Sequence, residues 1–199
     1  LIYDKGYIDF LLCYCKKNNI EAIISLFDID LPILAKHKRL FKDNGITVIV
    51  SDLDVVNICN DKWKTYNFLK DNDINCPKTY ISLHDAKREI ECEKIKFPLI
   101  IKPRWGMGSI GVFVTDDIDE LKVLYKKTKK EIEKTYLKYE AAYDFEHCVI
   151  IQEMIDGQEY GLDVINDLKG NYQNTIIKEK YAMRAGETDC AKIIECSKL

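Results

Sequence analysis

The sequence predicts a mixed α/β protein, and three observations carry that expectation. Through residues 1–50, helical spacing of apolar side chains alternates with short continuous apolar runs. Between Phe97 and Val114, two strand-like runs flank a glycine-bearing loop. The composition, 47% apolar and 32% charged with 9 Gly and 4 Pro in 199 residues, supplies the apolar surface that disordered chains lack. A chain of this length builds one large domain or two small ones. The same figures exclude several function classes. Thirty basic against 33 acidic residues, a net charge of −3, leave no electrostatic footprint for nucleic acid. No apolar run approaches the ~20 residues of a membrane span, and the opening Leu1-Ile2-Tyr3-Asp4-Lys5-Gly6 has no signal-peptide core. Because position 1 is Leu and not Met, the chain is expected to begin inside a longer protein.

The first helix is read from Tyr7, Ile8, Leu11, Leu12 and Cys15, ending at Asn18-Asn19. Residues 22–26 form an apolar run of the length of a buried parallel strand. Asp30 is placed to cap a second helix with Pro32 in its first turn, and Gly45 to stop it. Residues 46–50 are a second buried strand. This α-β-α-β order is that of a doubly wound unit whose usual first strand and glycine turn have been cut away. Trp63, Tyr66 and Leu69 mark a short amphipathic helix, and 77–81 an extended segment. Ser82 with Asp85 opens a charged helix to about Glu91. Residues 97–103 and 112–114 are the strands of a hairpin, with its tip, 104–111, expected to be exposed and mobile. Asp117 and Glu120 open a helix carrying Ile118, Leu121, Leu124 and Tyr125 on one face, and Ile132, Tyr136, Tyr139 and Tyr143 extend the helical spacing. The Lys–Glu mixture at 126–134 is a solvated surface. Strands follow at 148–152, 159–165 and 171–180. The eight cysteines are scattered, with no metal-ligand spacing, and are expected to be buried small hydrophobes in a reducing cytosol.

Three stretches can carry chemistry when they act together: Asn60-Asp61-Lys62 before a helix, the strand ending in Lys102 with its glycine loop, and residues 151–160. A polyphosphate nucleotide needs cations and close-approaching backbone for its phosphates, edge hydrogen bonds for its base and a carboxylate for its ribose. Lys102 supplies a compact charge at a strand end. Gly106, Gly108 and Gly111 let backbone N–H groups face phosphate oxygens. The Gly-x-Gly-x-x-Gly loop leads into a strand and not a helix, which disfavours a dinucleotide fingerprint, and no Lys-Ser/Thr of a P-loop follows it. Singly, each feature is equally at home as a hairpin loop, a solvated strand end or a rim charge.

As an ordered set, these motifs resemble the ATP-grasp superfamily, in particular its carbamoyl-phosphate-synthase-large-chain-like and carboxylate–amine-ligase-like members. The residues that carry the resemblance are Lys62 before a helix, Pro98-Leu99-Ile100-Ile101-Lys102-Pro103, the flap 104–111 and Gln152-Glu153-Met154-Ile155-Asp156-Gly157-Gln158-Glu159. The resemblance implies a partial ATP-grasp fold over 58–199, with a flap-bearing small lobe at about 76–147 and a large lobe starting near 148. Residues 1–57 then form a partial pre-ATP-grasp α/β domain. It also implies ATP as cofactor and activation of a small carboxylate as an acyl phosphate that an amine displaces. Lys62 and Lys102 are then the phosphate and adenine-side lysines, with Gly106, Gly108 and Ser109 in the flap. Gln152, Glu153 and Ile155 are the base-contacting segment, and Glu159 the ribose carboxylate. Arg184 sits where relatives place a cation facing phosphate or substrate, or is an ordinary surface residue.

The family's magnesium ligands, an acidic residue followed by a Glu-x-Asn pair, have no counterpart after Glu159. Mg²⁺ ligands are therefore expected beyond Leu199, with residues 1–199 binding ATP weakly and turning it over negligibly. The alternative is a non-catalytic nucleotide-binding or regulatory module; a generic α/β domain with coincidental loops is the third reading. The implied protein is cytoplasmic, without nucleic-acid or membrane partners, and compatible with a homo-oligomer.

Overall fold

The computed structural model describes residues 2–184 and 186–195. Leu1 and Leu199, named above, and one of the eight cysteines, Cys196, lie outside them. By density of internal contacts the chain divides into two units, one ending at Met154 and the other starting at Ile155.

The first unit opens with α1 (Tyr7–Lys17), β1 (Ala22–Ile24), α2 (Asp30–Asp43) and β2 (Thr47–Ile49), and the two strands pair in parallel, Ile23 opposite Val48. The expected order and pairing are found. Ile8, Cys15, Leu34, Phe41, Ile46 and Val48 form one buried cluster. Gly45 ends α2 in a left-handed turn, φ 77°, where the Ile46 N–H reaches back to the Phe41 carbonyl. Two expectations fail. The strands are not buried on both faces: both helices share one cluster with Ile23 and Val48, and outward-pointing Ile24 is 63% exposed. Asp30 does not cap α2, because Ile29 precedes it in helical geometry and the Asp30 carboxylate accepts from the Ser25 hydroxyl at 2.9 Å.

Next come α3 (Leu53–Asn60) and α4 (Lys62–Asp71), then β3 (Thr79–Tyr80), α5 (Leu83–Glu91), β4 (Leu99–Pro103), β5 (Phe113–Thr115), α6 (Ile118–Lys134), α7 (Leu137–Ala141) and β6 (Val149–Glu153). Helix α3 was not expected. Asp61, Ser82 and Asp117 cap α4, α5 and α6, each accepting two backbone N–H groups of the first turn. The strands form an antiparallel sheet in the order β3-β6-β4-β5. Its alternation points Leu99, Ile101, Val149 and Ile151 at a core completed by Ala86, Leu121, Ile132, Leu137 and Ala141 from the helices. The helical spacing through Tyr143 does not describe one helix: α6 stops at Lys134, and Tyr143 is 90% exposed.

The second unit is an antiparallel meander of β7 (Tyr160–Asn166), β8 (Tyr172–Arg184) and β9 (Glu187–Ile194). Strand β9 was not expected. The seven cysteines among the described residues are free thiols, but of these only Cys15 and Cys148 are buried, while Cys13, Cys59, Cys92 and Cys190 are exposed. Burial is thus set by the face each occupies, not by residue type. Among the described residues no helix is long and apolar enough to cross a membrane.

Candidate nucleotide site

Sheet register decides which residues can meet. Ile100 of β4 stands opposite Gln152 of β6, and Thr79 of β3 stands opposite Gln152 on its other side. Thr79, Gln152 and Lys102 therefore share the sheet face opposite Ile101 and Ile151. The Lys102 ammonium donates to Gln152 Oε1 at 2.6 Å, and Gln152 Nε2 donates to the Thr79 hydroxyl at 2.8 Å. Burial lowers the pKa of Lys102.

Lys62 is the first residue of α4. Its backbone N–H donates to the Arg104 carbonyl at 3.1 Å, and its ammonium to the Gly106 carbonyl at 2.8 Å. Burial pushes its pKa down to about 8, and the Lys102 charge adds to the shift. Among the described residues neither lysine is in an ion pair. Glu140, a carboxyl raised by burial with the Lys62 charge opposing, leaves its Oε2 buried without a hydrogen bond.

Gly106 takes φ +101°, and a side chain there would bring Cβ to 2.2 Å from Leu137 Cδ2. Gly108 and Ser109 also have positive φ, at 69° and 57°. The loop is not free along its whole length, as the sequence suggested. Arg104 is only 7% exposed, and Trp105 packs on the core. Arg104 Nε and Nη2 grip the two Asp61 oxygens at 2.8 Å each, and Nη1 meets Asp144 Oδ2 at 3.0 Å. Asp144 in turn holds His147 Nδ1 at 2.9 Å. Asp61 carries a sequence signal, a carboxylate just before a helix. Arg104 and Asp144 carry none, since their partner is 40 or more residues away.

The Glu153 side chain accepts from the Lys78 N–H at 3.2 Å, and the Glu153 N–H donates to the Lys78 carbonyl at 2.9 Å, so both are already engaged with Lys78. Ile155, Glu159 and Arg184 belong to the second unit. Ile155 is 63% exposed, Glu159 accepts from Lys180 Nζ at 2.5 Å, and Arg184 pairs with Asp189. The structure thus joins Lys62 to Gly106 and Lys102 to Gln152 within the first unit. No group of three or more His, Cys, Asp or Glu side chains suited to a metal ion occurs among the described residues.

A family model of the ATP-grasp domain matches residues 95–194, and one of the PylC-like N-terminal domain matches residues 1–49. A carbamoyl-phosphate synthase of Methanobrevibacter smithii is 26% identical over 151 residues, 74% of this chain and 35% of that protein. A D-alanine–D-alanine ligase of Bacillus anthracis is 27% identical over 151 residues, 70% of this chain and 45% of that one. The chain thus spans about a third to a half of the length of these relatives. In fold it is similar to the biotin carboxylase domain of Hydrogenobacter thermophilus 2-oxoglutarate carboxylase, solved with MgADP, ADP and bicarbonate. There the TM-score is 0.67 at 19% identity, over 90% of this chain and 38% of that one.

Proposed function

This chain belongs to the ATP-grasp family, and from that premise we propose that it is the ATP-binding portion of a ligase that activates a carboxylate as an acyl phosphate for attack by an amine or similar nucleophile, as carbamoyl-phosphate synthase large chains do. The observation that carries the reading is the pair of half-buried lysines. Lys62 and Lys102 are desolvated, close enough that one lowers the pKa of the other, and held by neutral carbonyl oxygens. Such an arrangement costs free energy unless an anion completes it. A polyphosphate against the loop 106–109 supplies that anion.

In this reading Lys62 and the flap hold the phosphates, Lys102 and Gln152 the side towards the base, the backbone of Glu153–Ile155 the adenine edge and Glu159 the ribose. Arg184 is the substrate-side cation. ATP would supply the phosphoryl group. The described residues offer no cluster of His, Cys, Asp or Glu for magnesium. The domain limits stay as read from sequence, 1–57 and 58–199, and a cytoplasmic setting with an amine co-substrate belongs to the same proposal.

Calorimetry with ATP tests the site. Charge-assisted hydrogen bonds contribute roughly 1.5–3 kcal/mol, so Lys102→Ala is expected to weaken ATP binding by about tenfold or more. Glu159→Ala, probing the ribose, is expected to weaken it in the same direction. Unchanged affinity in both variants removes the assignment.

A further inference from the structure

Arg104 is the one buried cation among the described residues, and the proposed nucleotide contacts do not use it. Its surroundings tie together the two parts that do. Asp61 Oδ1 accepts from the Arg104 Nε at 2.8 Å and also caps α4 by accepting from the Trp63 and Lys64 N–H groups. The Arg104 carbonyl takes the N–H of Lys62, the residue between, and two positions on, the Gly106 carbonyl takes the Lys62 ammonium. Asp144 and the Trp105 ring, whose centroid is 4.3 Å from Arg104 Cζ, close the other sides of the guanidinium. The start of α4 and the first half of the flap are therefore one zipped unit.

We propose that Arg104 is a positioning residue for nucleotide binding: its two-pronged grip on Asp61 fixes the first turn of α4, and so aims the Lys62 ammonium at the flap backbone where phosphates would lie. The inference rests on Lys62 being a phosphate cation. A buried ion pair is poor evidence for stability, because desolvation offsets most of its attraction. What a guanidinium on a carboxylate does supply is direction, through two parallel hydrogen bonds of fixed spacing. A lysine at 104 keeps the charge and loses the fork. An asparagine at 61 keeps the helix cap and loses the charge.

The test is a double-mutant cycle on the chain, read by ATP calorimetry beside thermal melts. Lys62→Met is expected to weaken ATP binding about tenfold or more. Arg104→Lys and Asp61→Asn are each expected to weaken it about fivefold or more while still melting cooperatively. Because Arg104 acts through Lys62, Arg104→Lys combined with Lys62→Met should bind within about twofold of Lys62→Met alone. If Arg104→Lys does not fold, Asp61→Asn with Lys62→Met closes the same cycle. Losses that multiply in the double variant overturn the inference, since Arg104 would then act elsewhere. So does unchanged affinity in both Arg104→Lys and Asp61→Asn when Lys62→Met is weakened, and in that case the phosphate role of Lys62 stands. Unchanged affinity in Lys62→Met overturns the phosphate role itself, and this inference with it.

Discussion

A lysine beside a second lysine, with little water around it, gives up its proton more readily than one in solution. Lys62 does so at about 8, where an unfolded lysine titrates at about 10.4. Its folded pKa is lowered, so between these values the unfolded chain binds more protons and stability rises with pH; the cost of holding the charge is fully present below about 8. A bound polyanion acts in the opposite sense, raising the pKa and drawing a proton in. ATP affinity should therefore fall as pH rises through about 8, with uptake of about half a proton on binding at that pH. Calorimetry in two buffers of different ionisation enthalpy measures it; uptake that persists in Lys62→Met would assign the proton to another group. Arg104→Met should destabilise the chain by about 3 kcal/mol, as loss of one partner from a buried pair does, which urea unfolding reads directly. Single residues were legible in sequence where their partners are local. The Ser82 and Asp117 caps bind N–H groups two and three positions on. The grip of Arg104 on Asp61 crosses 43 positions, and no local pattern announces it.

Among the elements, the hairpin β4–β5 was found as expected, while its tip was misjudged. Counting glycines treats 104–111 as uniformly loose, but the large side chains of Arg104 and Trp105 anchor its start. Without nucleotide, hydrogen exchange should divide the loop: slow at the Arg104 amide, which donates to the Cys148 carbonyl at 2.8 Å, and fast through 107–109. Equal rates on both sides would return the tip to the uniform mobility that the glycine pattern suggests. Gly106→Ala combines a backbone at φ +101° with a 2.2 Å approach to Leu137, so it should cost about 1–3 kcal/mol, seen as a lower urea midpoint at unchanged slope. Helix α3 and strand β9 escaped the sequence reading for related reasons. Only Val56 of α3 is buried, so no apolar stripe marks it. Most of β9 is exposed, so burial imposes little alternation on it.

For the whole molecule, the sequence specified the order of the motifs, whereas the register of the sheet decided their meeting. Nothing local to Lys102 or Gln152 says that they touch; the pairing of Ile100 with Gln152 across β4 and β6 brings them together. The boundary at Met154–Ile155 was not legible either, because it falls inside the very motif, 152–159, to which we assign the proposed base and ribose contacts. Residues 154–159 are all exposed. Limited proteolysis should therefore cut there early, and saturating ATP should slow the cut and raise the melting temperature, as a ligand specific to the folded state does. A cutting rate indifferent to ATP would separate this segment from the nucleotide.

The double duty of Asp61 also has a hereditary consequence. As helix cap it can be replaced by Asn or Ser, but as counterion to Arg104 it cannot. Drift at position 61 is thus constrained by what stands at 104, and the order of substitutions matters. A lineage that loses the arginine first strands a buried carboxylate, whereas one that first changes Asp61 to Asn keeps its helix start and leaves the guanidinium a partner in Asp144. Related sequences should therefore pair an arginine at 104 with an acid at 61, and an uncharged residue at 104 with Ser, Thr or Asn at 61. Independent variation of the two columns in an alignment would show that the pairing exerts no such hold.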